Sequence, residues 1–217
     1  MDPDALAVLD TPAVQRLRYV RQLGHAFLVY PGATHSRLEH ALGTYHLARR
    51  VLGLLEEQGG HRRQWAEEEG TAIRLAALLH DVGHYPFSHA LEEAGFPHHE
   101  TLAERHLQSP ALKAALDALG LPGLGSRLLE LIRGTSASPL AGLIAGSLDL
   151  DKIEYLTRDA WMCGVPYGAI DADRLLTSLT IAAAGDGAPR VGIHEKGISA
   201  LESLLFAKYQ MYRNVYW

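Results

Sequence analysis

Apolar residues recur at three- and four-residue spacing along most of the chain, and short β-type stretches interrupt that pattern in two places. The helical period predicts helices over 37–57, 70–82, 99–108, 110–119 and 124–133, punctuated by Pro110, Gly120, Pro122, Gly123 and Gly134. Thr11-Pro12 opens a basic amphipathic helix over 11–23. A long helix is expected over 138–162, another from near Asp171, and a last one through "KGISALESLLFAKYQMYRNVYW", which has no C-cap. "AFLVYPGATHS", 26–36, is aromatic and β-branched and carries Pro31-Gly32, which predicts a short extended segment and a turn. "LTIAAAGDGAPRVGIHE", 179–195, predicts a β-hairpin around Gly185-Asp186-Gly187. No repeat or linker divides the chain, so the expectation is one all-α domain over 1–217 with a small β-hairpin appendage.

Composition narrows the setting. The 217 residues are 47% apolar and 21% charged, as in a globular domain with a sizeable core. The apolar runs are short and broken by Arg, Glu or Gly, which argues against a membrane span. "MDPDALAVLD" lacks the basic-then-apolar order of a signal peptide, and the single Cys163 excludes an internal disulfide framework. Both suit a cytoplasmic protein. A net charge of −5 argues against broad nucleic-acid binding, while a local basic pocket for phosphates stays open. The abrupt aromatic end reads as the edge of something longer.

Four polar clusters interrupt the helical pattern. In "LAALLHDVGHYPFSHALE", 75–92, three histidines and an aspartate fall within ten residues directly after an apolar run. His80 and His84, at i and i+4, would lie one above the other on a helix, and Gly83 and Pro86 predict that this helix ends here, putting His84 and His89 at an open edge. Such a group is either locally satisfied polarity or part of a metal site whose other ligands come from elsewhere. "HSRLEHALG", 35–43, puts Arg37 and His40 on one helix face. A cation beside a metal ligand makes sense where an anion such as phosphate bridges both, the plainer alternative being a surface arginine and a capping histidine. In "LDLDKIEYLTRD", 148–159, Asp151, Tyr155 and Asp159 recur every four residues beside Lys152, either a solvated face or a second ligand-bearing one. "FAKYQMYRNVY", 206–216, repeats the spacing with Lys208, Tyr212 and Tyr216, where half-buried packing is the plainer reading.

Taken together, the order His40 … His80-Asp81 … Asp151 resembles the H…HD…D signature of HD-domain metal-dependent phosphohydrolases. The flanks "RLRYVRQLGHAFLVYPGATHSRLEHALG", "LLHDVGHYPFSH", "HHE" and "LDLDKIEYLTRD" resemble the deoxynucleoside triphosphate triphosphohydrolase (dGTPase-like) branch, from about Gln15 to Trp217. The resemblance implies an HD-type helical bundle in which His40, His80, Asp81 and Asp151 hold one divalent metal ion, Mn²⁺, Fe²⁺ or Mg²⁺. It implies that Arg37 and Lys152 grip phosphate oxygens, and that His84, His89 and His99 line the phosphates, with Glu100 orienting His99. Gln22 and Leu23 match positions facing the sugar 3′-hydroxyl and the base, Tyr155 and Asp159 the sugar, and Lys208 and Tyr212 the phosphate side. Tyr216 matches an aromatic ring near C2′ that would crowd a ribose. The implied reaction is hydrolysis of a dNTP at the α-phosphorus to deoxynucleoside and triphosphate, with His84 or His89 giving a proton to the departing triphosphate. An HD-type nucleotidase or phosphatase acting on another nucleotide phosphate, and a catalytically silent nucleotide sensor, are the alternatives. The substrate is the expected partner, and a homo-oligomer stays open.

Overall fold

Ser36 starts the helix on which the site is built. Its hydroxyl accepts from the Glu39 backbone N–H while the Glu39 carboxylate accepts from the Ser36 N–H, a capping box at the head of α3 (Arg37–Gln58). From there Leu38, Ala41, Tyr45, Ala48, Val51, Leu52 and Leu55 turn one buried stripe inward at helical spacing. That stripe meets α4 (Glu67–Leu79), which is buried at nearly every position from Gly70 onward. A helix apolar all round belongs at the centre of a bundle, and burying Leu75, Leu78 or Leu79 contributes roughly 2 kcal/mol each.

The computed structural model describes residues 1–59 and 65–216. Before α3 come α1 (Pro3–Leu9) and α2 (Pro12–Gln15). After α4 follow α5 (Ser88–Glu93), α6 (His99–Leu107), α7 (Pro110–Asp117), α8 (Leu124–Ile132), α9 (Leu150–Cys163) and α10 (Ala172–Thr177). Strands β1 (Leu179–Ala183) and β2 (Pro189–Ile193) pair antiparallel with Leu179 opposite Ile193, and α11 (Ile198–Met211) runs into a π-helical turn over Tyr212–Tyr216. α4 lies between α3 and α8, and α9 packs on α3. No described helix is long and apolar enough to cross a membrane.

The architecture is the expected helical bundle with a hairpin, and several boundaries are corrected. The helix over 11–23 is α2 plus a 3₁₀ turn at Arg16–Tyr19. It stops there because the Val20 carbonyl accepts from the Arg37 N–H and Arg21 forms a bridge with Ser36. The extended segment at 26–36 is instead a 3₁₀ turn at Ala26–Leu28 followed by bends. The helix at 138–162 breaks in two, with a 3₁₀ turn at Ala141–Leu143 and α9 starting only where the Asp149 side chain accepts from the Lys152 N–H. α1 and α5 carry too few residues for a periodic pattern and were not expected. Trp217, the end of the last predicted helix, lies outside the described residues.

Candidate metal centre and its flanks

Three helices deliver the central side chains. Arg37 and His40 stand on the first turn of α3, His80 and Asp81 follow the end of α4, and Asp151 lies on the first turn of α9. α4 stops at Leu79 with His80 as its C-cap, so His80 and His84 do not stack on one helix face as their spacing suggests. The chain turns instead, with the Val82 N–H on the Leu79 carbonyl and the His84 N–H on the Asp81 carbonyl. Gly83 makes this turn possible, because a Cβ there would lie 1.9 Å from the His99 carbonyl oxygen at the head of α6. From the other side Arg16 donates to the carbonyls of Val82 and His84 and to His106 Nε2, clamping the turn. Nothing in the spacing singled out Arg16.

The donors converge. His40 Nε2 lies 3.0 Å from His80 Nε2 and 2.9 Å from Asp151 Oδ1, and His80 Nε2 lies 3.6 Å from Asp151 Oδ1. His40, His80 and Asp151 form a group close enough to share an ion, and Asp81 lies beside it, with Oδ1 3.5 Å from His80 Nε2 and Oδ2 3.9 Å from His40 Nε2. Ligands bound about 2.1 Å from an ion at right angles stand about 3 Å apart, so the two imidazoles and the Asp151 carboxylate fit one divalent ion, with Asp81, the fourth expected ligand, engaged by Arg37. His40 Nδ1 meets Glu154 Oε2 at 2.5 Å, which turns Nε2 toward the cage. Glu154 reaches that point over Gly43, where a Cβ would fall 2.0 Å from its Oε1, and Arg158 holds it from the other side at 2.6 Å. Glu154 was not singled out from the sequence. Its signal was its place three residues after Asp151, on the same helical face.

The cage is rich in negative charge. Burial opposes an imidazolium at His40, yet the hydrogen bonds to Asp151 and Glu154 outweigh it and push the group up to about 10. At His80 burial is again outweighed, by Asp81 and Asp151. Asp81 is 5% exposed; burial would raise its pKa, but Arg37, at 2.6 Å, and His84 hold it well below the usual carboxylate range. Arg37 itself is buried, with its Nε unpartnered among the described residues.

On the α5–α6 side lie three of the expected histidines. His84 stacks on His99 with centroids 3.7 Å apart, and His89 stands edge-on to both at 4.9 and 5.7 Å. His84 is 2% exposed and spends both ring nitrogens, Nδ1 on Ser88 Oγ and Nε2 toward Asp81 Oδ1 at 3.2 Å. Burial, helped by Arg37, drives its pKa down to about 3. His89 is also lowered, first by burial. The carboxylate that orients this group is Glu92, 2.9 Å from His99 Nδ1 and 3.6 Å from His89 Nδ1. Glu100, expected in that role, is exposed. His84, Glu92 and His99 form a second group close enough to share an ion.

Toward the other end of α9, Asp159 is 1% exposed and takes bonds from His35 Nε2 and from the Tyr216 hydroxyl, each at 2.7 Å. Tyr155 and Tyr212 flank Tyr216 at 6.3 and 5.2 Å, and Lys208 Nζ sits 5.6 Å from the Tyr212 ring centre. Burial and Asp159 both raise the Tyr216 hydroxyl, so it donates rather than ionises. The Asp151–Tyr155–Asp159 stripe is thus no solvated face. His35, absent from the expected set, is the buried partner of its far end. Gln22 donates its backbone N–H to the His35 carbonyl, its side-chain oxygen is buried without a partner among the described residues, and Leu23 beside it is half-buried. Lys152 is drawn away from the cage and bonds Asp149 at 2.5 Å and the Gly146 carbonyl at 2.9 Å.

Residues 37–136 match the HD domain family. An uncharacterized protein of Methanocaldococcus jannaschii is 37% identical over 217 residues, covering all of this chain and 43% of the relative. A deoxynucleoside triphosphate triphosphohydrolase, SAMHD1 of Bos taurus, is 28% identical over 249 residues, covering 99% of this chain and 42% of the relative. The crystal structure of a phosphohydrolase from Bacteroides thetaiotaomicron superposes with a TM-score of 0.82 at 32% identity, covering 97% of this chain and 49% of that one. The chain therefore spans about half the length of the proteins it matches.

Proposed function

We propose that this chain, whose residues 37–136 match the HD domain family, is a phosphohydrolase that hydrolyses deoxynucleoside triphosphates at the α-phosphorus, releasing deoxynucleoside and inorganic triphosphate. The observation that carries this reading is the single face of α9 that leads from Asp151 in the cage to the buried Asp159–Tyr216 pair, roughly 12 Å further along the helix. A phosphate held at the cage would put its sugar along that face. The 28% identity with SAMHD1, a deoxynucleoside triphosphate triphosphohydrolase, supports the same substrate class.

The chemistry that a divalent ion supplies when bound is Lewis-acid polarisation of a phosphoryl group. This chain's residues do the rest. Arg37, fixed by Asp81, offers buried positive charge to phosphoryl oxygens as charge builds on them. Water attack at the α-phosphorus breaks the bond to O5′, whose electron pair then needs a proton. Atom balance thus corrects the expected destination of that proton from the triphosphate to O5′ of the deoxynucleoside. His84 has both nitrogens committed and is driven toward the neutral form, so it fixes Asp81 and does not donate. His89, 65% exposed, with its Nδ1 3.6 Å from Glu92 and its ring edge-on to His84 and His99, is the proton donor in this reading. The Tyr216 ring beside Asp159 limits the space at C2′, excluding a ribose.

The test is to incubate metal-loaded protein with each dNTP and rNTP and to separate the products by chromatography. Deoxynucleoside and intact triphosphate, from dNTPs alone, are expected. Orthophosphate or pyrophosphate as the sole phosphate product overturns the reading and leaves an HD-type nucleotidase. One observation favours that alternative: Lys152 is bound to Asp149 rather than free for a phosphate.

A further inference from the structure

Among the described residues only one non-glycine, Phe87, has a positive φ, at 61° with ψ 26°. A bulky side chain rarely occupies that left-handed region, and a residue held there marks a place where surrounding contacts override the backbone's preference. The override is visible. The His25 ring lies flat on the Phe87 ring, centroids 4.2 Å apart and planes 9° from parallel. Gly24, beside His25, has φ 54°, and a Cβ there would meet the edge of the Phe87 ring at 3.5 Å. Both rings are exposed at the surface, and burial alone does not account for the pairing.

What the two rings join is more telling than the rings themselves. Phe87 is the N-cap of α5, so its backbone sets the direction in which Ser88 and His89 leave the turn. Ser88 holds His84 Nδ1, and Glu92 on the same short helix holds His89 and His99. On the other side, His25 follows Gln22, Leu23 and Gly24 in the loop that bonds the His35 carbonyl and carries the unpartnered, buried oxygen of Gln22. α5 is six residues long and contributes one buried side chain, Ser88, so it has little core of its own to fix it.

We propose that His25 and Phe87 are positioning residues: their stack ties the loop bearing Gln22 and Leu23 to the turn bearing His84 and His89, fixing α5 and its histidine for reaction. This rests on the reading of the histidine group as the phosphate side of the site. Neither ring touches substrate in this assignment. The stack acts through His89, whose misplacement by an ångström is enough to cost about two orders of magnitude in rate.

The test uses the whole chain loaded with metal and combines activity with two readouts that do not need turnover. His25→Ala and Phe87→Ala are each expected to lower kcat about tenfold or more, with KM changed far less, and the double variant to be no slower than the slower single one. His25→Tyr, which keeps a flat ring, is expected to restore most of the rate. Phe87→Gly relieves the backbone yet removes the ring, so its melting temperature should hold or rise while kcat falls. The imidazole resonance of His89, assigned by comparison with His89→Gln, should move or broaden in His25→Ala. Single effects that multiply in the double variant, or an active His25→Ala with an unmoved His89 resonance, overturn the proposal. If the unaltered protein hydrolyses no dNTP, the functional reading fails on its own, and the His89 resonance still decides whether the stack positions α5.

Discussion

Two groups of imidazoles meet at Asp81, and their electrostatics run in opposite directions. On one side His40 and His80 face Asp81, Asp151 and Glu154, and both pKa values rise despite burial, His40 to about 10. On the other, His84 and His89 face each other, His99 and the field of Arg37, and both fall, His84 to about 3. Burial disfavours charge in both places. The number of carboxylates within reach decides the outcome. One side is thus built to take a positive charge, and the other presents mostly neutral rings to whatever lies against it.

The comparison breaks most completely if Asp151 is dispensable. Asp151→Ala should lower metal affinity by more than about 100-fold and abolish turnover, read by elemental analysis after dialysis and by product release. Retained metal with normal turnover would remove Asp151 from the cage. Glu154→Gln leaves His40, His80 and Asp151 in place but replaces the carboxylate on His40 Nδ1. A loss of about 10–100-fold in metal affinity is expected, with His84-side geometry unchanged. An unaltered affinity would mean that Glu154 only packs.

How these sides were legible in the sequence differs for a physical reason. The cage ligands and Arg37 sit beside a strong helical period, and α3 spans Arg37–Gln58 where the pattern predicts 37–57. The carboxylates that orient the rings were not legible. Glu92 and Glu154 look like ordinary helix-surface residues, and their role depends on which helix packs over them, Glu154 through Gly43 and Glu92 through the fold of α5 back onto α6. Glu100 was the better sequence candidate because it adjoins His99, yet adjacent residues on a helix point about 100° apart. The error at 138–162 has a similar origin. Leucine, isoleucine and alanine continue through the segment, while Pro139, Gly142 and Gly146 interrupt it and Asp149 restarts it.

A third, smaller effect separates the sugar end from both histidine groups. Tyr216→Ala should raise rNTP hydrolysis relative to dNTP by roughly tenfold while leaving metal content unchanged, since Tyr216 bonds Asp159 and not the cage. Unchanged selectivity would strip Tyr216 of its gating role, and lost metal would show the two ends of α9 to be coupled.

The smallest expected effect sharpens the electrostatic contrast at a histidine outside both groups. His106 Nε2 accepts a hydrogen bond from Arg16 at 3.0 Å, and burial and then the Arg16 charge lower its pKa to about 4. Its unfolded value is near 6.5, so the unfolded chain binds the extra proton first as the pH falls. The stabilisation is therefore complete above about 6.5 and drains away down to about 4, the opposite sense to a histidine beside a carboxylate. Half-buried, the group is partly screened, and the loss between those limits should be about 1 kcal/mol. His106→Gln keeps an acceptor for Arg16 without titrating. Urea unfolding at pH 7 and pH 4.5 should show the parent losing more stability than the variant by about that amount. Equal losses would mean that His106 takes up its proton as readily folded as unfolded, and that a neighbouring cation alone does not set the direction seen at His84.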